Sequence, residues 1–508
     1  QDRYNLTDDE VVFDDMGNWI YQMDVKANKD TKIDLTAKYN NLVQYFKGGS
    51  KDEDEILLIV TTNDNEKYYK IRIIYDFKTN HLISAWLPED ETITTDEQLG
   101  ADMMIIRHNQ EKAEQLNFNP LSSSLTKVGT AYAVMTFDKY FLNNKDKTGN
   151  ELAEKKSENE RKFYWISFPF DVKLSEVFGF GEYGDQWIME YYDGEARAKE
   201  GYWAETETFW KYITNRDYTL KAGVGYVLKL NLNKMTTANT YLHTDEVSLF
   251  FPSQGSPTII NAEPTRITVP AHECTIGRDN RNIYDSHWNL IGVPGYANLN
   301  EVNTQYTTGN QADGVNFYYA YDAQENKYAA AAATADFKNM YAYMVQFAGT
   351  INWRAKTMPA QLAARRTGSM PSQHDLRLEI AQGEQTDQTF VQLKEADATA
   401  EFDMNIDMTK IFNSGMNIYT LTGSNAIQVA GNALPMEKAT VPVGVRVDAA
   451  GEYTFRMPDG TDGISVILLD NQTGAHINML YDEYTVILEA GTYENRFSLV
   501  LDPQRTST

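Results

Sequence analysis

A single cysteine, Cys274, stands in a chain of 508 residues. No intramolecular disulfide can form, so packing alone must hold the fold, whatever compartment the protein works in. Cations are scarce as well: 46 Lys and Arg face 72 Asp and Glu, a formal charge of -26. Such a surface meets a polyanion with repulsion instead of counterion release, which excludes nucleic acid as a partner. No stretch approaches the roughly 18 apolar residues that a membrane-spanning helix requires. The seven histidines form no H-x-H or H-E-x-x-H motif, and the nearest approach, His272 beside Cys274, reads as structural. A G-x-S-x-G elbow is missing and the lone cysteine has no evident partner, so nucleophilic catalysis finds no support. The chain opens on Gln1 with no Met, charged segment or apolar segment before it, as a processed protein or a piece of a longer one would.

Aromatic side chains are abundant, with 32 Tyr, 22 Phe and 8 Trp. They suit a pleated, half-buried surface better than a helix, so a β-dominated protein is expected. The length exceeds what one core organises and points to about three or four domains. Alternation of period two begins early. In "NWIYQMDV", Trp19, Tyr21, Met23 and Val25 share a face, and in "KYYKIRIIYDF" so do Tyr69, Ile71, Ile73 and Tyr75. "DFKTN" then turns the chain into "HLISAWLP", a hairpin. Residues 144–162, rich in both charge signs, read as a solvated insertion.

The most informative feature is a repeat. "WISFPFDV" at 165–172 is echoed by "WNLIGVPGYANL" at 288–299, each a Trp-led apolar strand that stops at a proline. "MEYYDGEARAKEGYW" is matched by "FYYAYDAQENKYAA", and "GYVLKL" by "AYMVQF". Three matches in the same order indicate two tandem modules. A linker with two prolines follows, "AKTMPAQLAARRTGSMPSQHD", and then a β-patterned tail in which "DNQTG" joins two apolar runs as a hairpin turn and Phe497, Leu499 and Leu501 point one way. Helix signals are sparse, the alanine run 329–333 being the notable one. The expected fold is all-β: tandem β-sandwich domains of jelly-roll or immunoglobulin-like type with a duplicated central module. The expected divisions are an N-terminal β-domain over 1–115, modules over 116–260 and 261–370, and a C-terminal sandwich over 371–508.

At "IIYDFKTNHLISAWLP", "YWISFPFDVKLSEVFGFGEYGDQWIMEYYDGEARAKEGYWAE" and "DSHWNLIGVPGYANLN" the chain resembles large cell-surface proteins of Bacteroidetes, many exported by the type IX secretion system. The closing "VILEAGTYENRFSLVL" is similar to the last strands of their β-domains. The resemblance implies an extracellular, multi-domain β-protein with a structural, adhesive or partner-binding role, often within a larger surface assembly. It carries over no catalytic residues.

Three stretches invite chemistry. "GFGEYG", with Gly179, Gly181 and Gly184, matches the dinucleotide fingerprint. An aromatic strand follows it instead of a helix, and Glu182 and Asp185 would repel phosphate, so a glycine-permissive turn is the better account. The segment 187–212 offers Trp187, Tyr192, Trp203 and Trp210 beside Asp193 and Glu195. Rings that stack on sugars with acids that accept hydroxyl hydrogen bonds would make a glycan or protein surface. Two of the carboxylates held about 5–10 Å apart across a cleft would instead perform glycoside hydrolysis. Against both stands the plainer reading, rings in a core and acids on a solvated face. "DNRNIYDSH" offers Asp279, Asn280, Asn282 and Asp285 as oxygen donors for a structural calcium, without the spacing of a calcium loop. The expectation is a protein without catalytic residues or a required cofactor, partnered by a surface protein or a glycan.

Overall fold

The computed structural model describes strand backbones within residues 11–138 and all of 373–504. Between these it describes most of 161–355, leaving out 201–208, 232–245, 256–264, 275–281, 295–309 and a few shorter stretches. The regular secondary structure of the described chain is nearly all strand, as the alternation predicts. An N-terminal sheet runs in chain order through β1 (Val11–Phe13), β2 (Trp19–Val25), β3 (Glu53–Thr62), β4 (Lys67–Asp76) and β5 (His81–Trp86). The β4–β5 pairing is the antiparallel hairpin expected around "DFKTN".

Next come β6 (Ala101–Asn109), β7 (Asn117–Pro120), β8 (Val128–Asp138), β9 (Arg161–Ser167), β10 (Val172–Lys173), β11 (Phe178–Gly179), β12 (Trp187–Tyr192), β13 (Trp210–Tyr212), β14 (Thr219–Leu220), β15 (Gly225–Asn231) and β16 (Glu246–Pro252). One sheet orders β13-β12-β15-β9, and a second contains β11-β16-β8. Alternate residues from facing strands meet between them. Tyr164, Ile166, Tyr226, Leu228, Trp187 and Met189 pack with Ala133, Met135, Leu249 and Phe251 in one core.

The same order then recurs. β17 (Thr265–Val269), β18 (Trp288–Gly292), β19 (Asn310–Asp313), β20 (Phe317–Asp322), β21 (Lys327–Ala332), β22 (Ala342–Gln346) and β23 (Gly349–Ala355) form the sheets β21-β20-β22-β18 and β19-β23-β17. Strand for strand these match β13-β12-β15-β9 and β11-β16-β8. The alanine run, a helix signal in the sequence, is strand β21. Its small side chains let other elements approach closely: Ala330 and Ala332 are buried in a core shared with Trp165 and Ala433. Tertiary packing overrides the local preference.

Local details repeat too. The Tyr226 hydroxyl accepts the amide of Lys221 at 2.7 Å, and the Tyr343 hydroxyl accepts that of Lys338 at 2.7 Å. Two residues after each lysine the backbone turns left-handed, at Gly223 (φ 77°) and Met340 (φ 67°). The units touch reciprocally: Ser167 N–H donates to Met340 O, Gly292 N–H donates to Gly223 O, and the bridges Ile166–Tyr341 and Val224–Ile291 mirror one another. Registers pair Trp165 with Val227 and Leu290 with Met344. The strand position of Trp165 is therefore taken by Leu290, and Trp288 sits two residues earlier on the same face.

The last part forms one sheet wrapped into a nearly closed barrel. Its strands are β24 (Gln373–Gln382), β25 (Gln385–Lys394), β26 (Met408–Thr409), β27 (Met416–Thr422), β28 (Ile427–Pro435), β29 (Ala439–Val447), β30 (Gly451–Arg456), β31 (Ser465–Asp470), β32 (Ala475–Asn478), β33 (Tyr484–Leu488) and β34 (Gly491–Asp502). The order runs β32-β31-β34-β29-β27-β28-β25-β24-β30-β33, with β26 beside β28. Phe497, Leu499 and Leu501 enter the barrel core as read from the sequence. "DNQTG" turns β31 into β32 with Gly474 at φ 72°. Tyr484 O–H, from one end of the sheet, donates to Asp470 Oδ2 near the other at 2.7 Å.

The barrel is tied to the second unit by polar contacts over an apolar seam. Tyr319 O–H donates to Thr409 O (3.2 Å) and accepts from Ile411 N–H (2.9 Å), and Gln346 Oε1 accepts from Thr409 N–H (2.8 Å). Phe317 lies flat on Gly431, where a Cβ would come within 2.3 Å of the ring. Of the insertion read over 144–162, Arg161 and Lys162 instead begin strand β9, and the rest of it, with most of the proline-containing linker, lies outside the described residues.

Candidate functional site

The densest chemistry lies where the first unit meets the second. After β12, Asp193 accepts the Ala196 amide at 2.9 Å and caps the short helix α1 (Gly194–Glu200). Gly194 is needed there, because a Cβ would come within 2.4 Å of Trp288 O. The helix delivers Arg197, 3% exposed, into the junction. Its guanidinium donates to both carboxylate oxygens of Asp285, at 2.8 and 3.3 Å, and to the Tyr192 hydroxyl at 2.9 Å. It also lies 4.6 Å from the Trp288 ring centroid. Trp288 Nε1–H donates at 2.8 Å to the same Asp285 oxygen that Arg197 Nη2 reaches, so this carboxylate is engaged within the junction.

Burial opposes the charge on Arg197, yet Asp285 and Tyr192 outweigh it and hold the guanidinium above its ordinary range. Burial raises the Tyr192 phenol to about 12, with Arg197 pulling the other way. Alongside, His287 has its pKa lowered by burial and adopts φ 67°. Its Nδ1 accepts the His272 amide at 3.0 Å. Cys274 is buried, which pushes its thiol pKa up, the opposite of an activated nucleophile.

The residues singled out from the sequence are distributed as follows. Tyr192 and Trp210 come together, 4.8 Å apart and edge to face, in an aromatic cluster with Trp165, Tyr321 and Tyr328. Trp187 points to the opposite face of the sheet and is buried against Tyr183 and Phe251. Asp193 is the helix cap. Glu195 is exposed and paired with Lys199 at 2.5 Å, which lowers its pKa. Trp203 lies outside the described residues. Gly184 occupies a left-handed turn (φ 92°), as the glycine account of "GFGEYG" requires, while Gly181 lies outside the described residues. Nearby Glu190 is held by Lys229 at 2.7 Å. Among the described residues, Asp193 is thus committed to backbone and Glu195 to a cation, while Glu190 meets Lys229 through one oxygen and its Oε2 is buried without a hydrogen-bond partner.

Two buried carboxylates in the barrel had no signal in the sequence. Asp387 pairs with Lys410 at 2.6 Å and accepts Ile418 N–H at 2.7 Å. Asp407 accepts the amides of Ala433 and Asp403, both at 2.7 Å, and burial raises its pKa to about 7. Among the described residues no three His, Cys, Asp or Glu side chains group closely enough to hold a metal ion, and no helix is long and apolar enough to cross a membrane.

Fold and junction together define an all-β protein of several sheets, packed together by buried aromatic and ionic contacts. Residues 360–501, a span that takes in the barrel strands from β24 into β34, match the family model of a domain of unknown function (DUF8693), a description that names no activity. No curated protein and no solved structure matches the chain.

Proposed function

We propose that the chain is an extracellular, cell-surface β-protein with a structural and partner-binding role, without catalytic activity, working as part of a larger surface protein or assembly. Its two central units are a duplicated, immunoglobulin-like sandwich, supported by the shared strand order, the repeated tyrosine–lysine turns and the reciprocal contact about Ser167 and Gly292. The observation that carries the functional reading is the use made of the 187–212 aromatics. Tyr192 and Trp210 spend faces on neighbouring rings, Tyr192 also meeting Arg197, and so serve the junction between the units, while Trp187 packs inside the first unit. A glycan-binding surface would leave such rings open to solvent, and a glycosidase would leave two carboxylates unpaired across a cleft. The resemblance of its sequence blocks to type IX-exported surface proteins of Bacteroidetes supports a site of action outside the cell. Protease treatment of intact source cells tests the reading. The account expects cleavage of the chain before lysis and no signal for the purified protein on a glycan array. Protection until lysis, or saturable glycan binding lost on Trp210→Ala, would overturn it.

A further inference from the structure

The two ends of the barrel sheet are unequal. Both β32 and β33 have one neighbour only, so each has a free backbone edge. Strand β32 is four residues long and carries no large exposed apolar side chain. Strand β33 pairs with β30, and among the described residues its other edge has no backbone partner. It is held rigidly all the same: Leu488 is buried and Tyr484 is anchored on Asp470. Ile487, at 72% exposed, and Tyr481, at 64%, are the most exposed large apolar side chains described. Natural sheet edges are blunted by lysine, proline or a bulge. None of these protects β33.

Charge identifies the occupant. Between Arg456 and Arg496 the chain has no Lys or Arg, and the acids that directly flank β33 are Asp482, Glu483 and Glu489. Glu452 lies directly across from Ile487 on β30. A second copy would bring the same acids against these and meet like-charge repulsion. We propose that the free edge of β33 takes an extended, basic peptide segment of a partner protein as an added strand. Backbone hydrogen bonds would give affinity, an apolar side chain would cover Ile487, and flanking Lys or Arg would meet the acidic rim. The strand is already ordered, so binding loses little entropy on this side.

This inference rests on the partner-binding half of the proposed function and names the partner's chemistry. Its test uses the full chain and a labelled eight-residue peptide of alternating valine and lysine, with a control in which every lysine is glutamate, followed by fluorescence anisotropy. Saturable binding of the lysine peptide is expected, weaker by about tenfold or more for the glutamate peptide and for Ile487→Lys, a loss of roughly 1.4 kcal/mol or more. Thr485→Lys, on the same exposed strand, should act alike and guards against a fault peculiar to one variant. Equal binding of both peptides, no binding, or indifference to both variants would overturn the proposal. Self-association abolished by Ile487→Lys would also overturn it, by giving the edge to a second copy. Failure here leaves surface exposure on intact cells untouched, so the two readings fall separately.

Discussion

Arg197 is the residue on which the junction turns. A guanidinium buried among Trp288, Tyr192 and Asp285 is tolerated because every neighbour answers its charge. Removing one partner of such a pair leaves the other buried and uncompensated, which typically costs about 3–5 kcal/mol. Arg197→Met and Asp285→Leu should each lower stability by that order in urea denaturation, and the double variant should lose clearly less than the two combined. Asp407 gives a pH signature. Its folded pKa, about 7, lies above the ordinary carboxylate value, so the folded state binds the proton more tightly. Its contribution is present below about pH 4 and is lost as pH rises towards 7, so Asp407→Asn should flatten the fall in urea midpoint over that window. Asp470 works in the opposite sense. Although burial opposes it, Arg496 and Tyr484 hold its carboxyl well below the usual range, and its contribution is lost as pH falls through the acid range.

At the scale of the element, the reciprocal contact makes a sharp prediction. A Cβ at Gly292 would lie 2.0 Å from the Ser167 Cβ. Gly292→Ser alone should therefore cost about 1–3 kcal/mol by overpacking. Adding Ser167→Gly, which moves the side chain to the other side of the pseudo-twofold contact, should restore most of that loss in a double-mutant cycle. Much of this level was legible in the sequence: period two gave the strands, and the residues of the ordered matches fall on strands that recur in the same sheet order. What was hidden has physical causes. The strand register that places Leu290, and not Trp288, opposite Met344 depends on pairing, and alternation cannot distinguish a shift of two residues. Ala329–Ala332 reads as helix by propensity and becomes a strand because only small side chains fit that crowded seam. Asp193 followed by "GEARAKE" carried a helix start in plain view, a cap before good helix formers. Arg197 and Asp285 are 88 positions apart, and no local pattern pairs them.

For the whole molecule, the central claim is that both units and the barrel are braced into one cooperative body. The Phe317–Gly431 contact and the bonds of Tyr319 and Gln346 carry that coupling, and Gly431→Ala should weaken it, with faster hydrogen exchange in β20 and β28. All eight tryptophans precede the barrel, so indole fluorescence reports the rest of the chain alone. The decisive measurement follows urea unfolding by tryptophan emission and, on the same samples, by hydrogen exchange of peptides from 373–504. Coincident midpoints are predicted. A barrel that stays protected after the indole signal has unfolded would contradict the account.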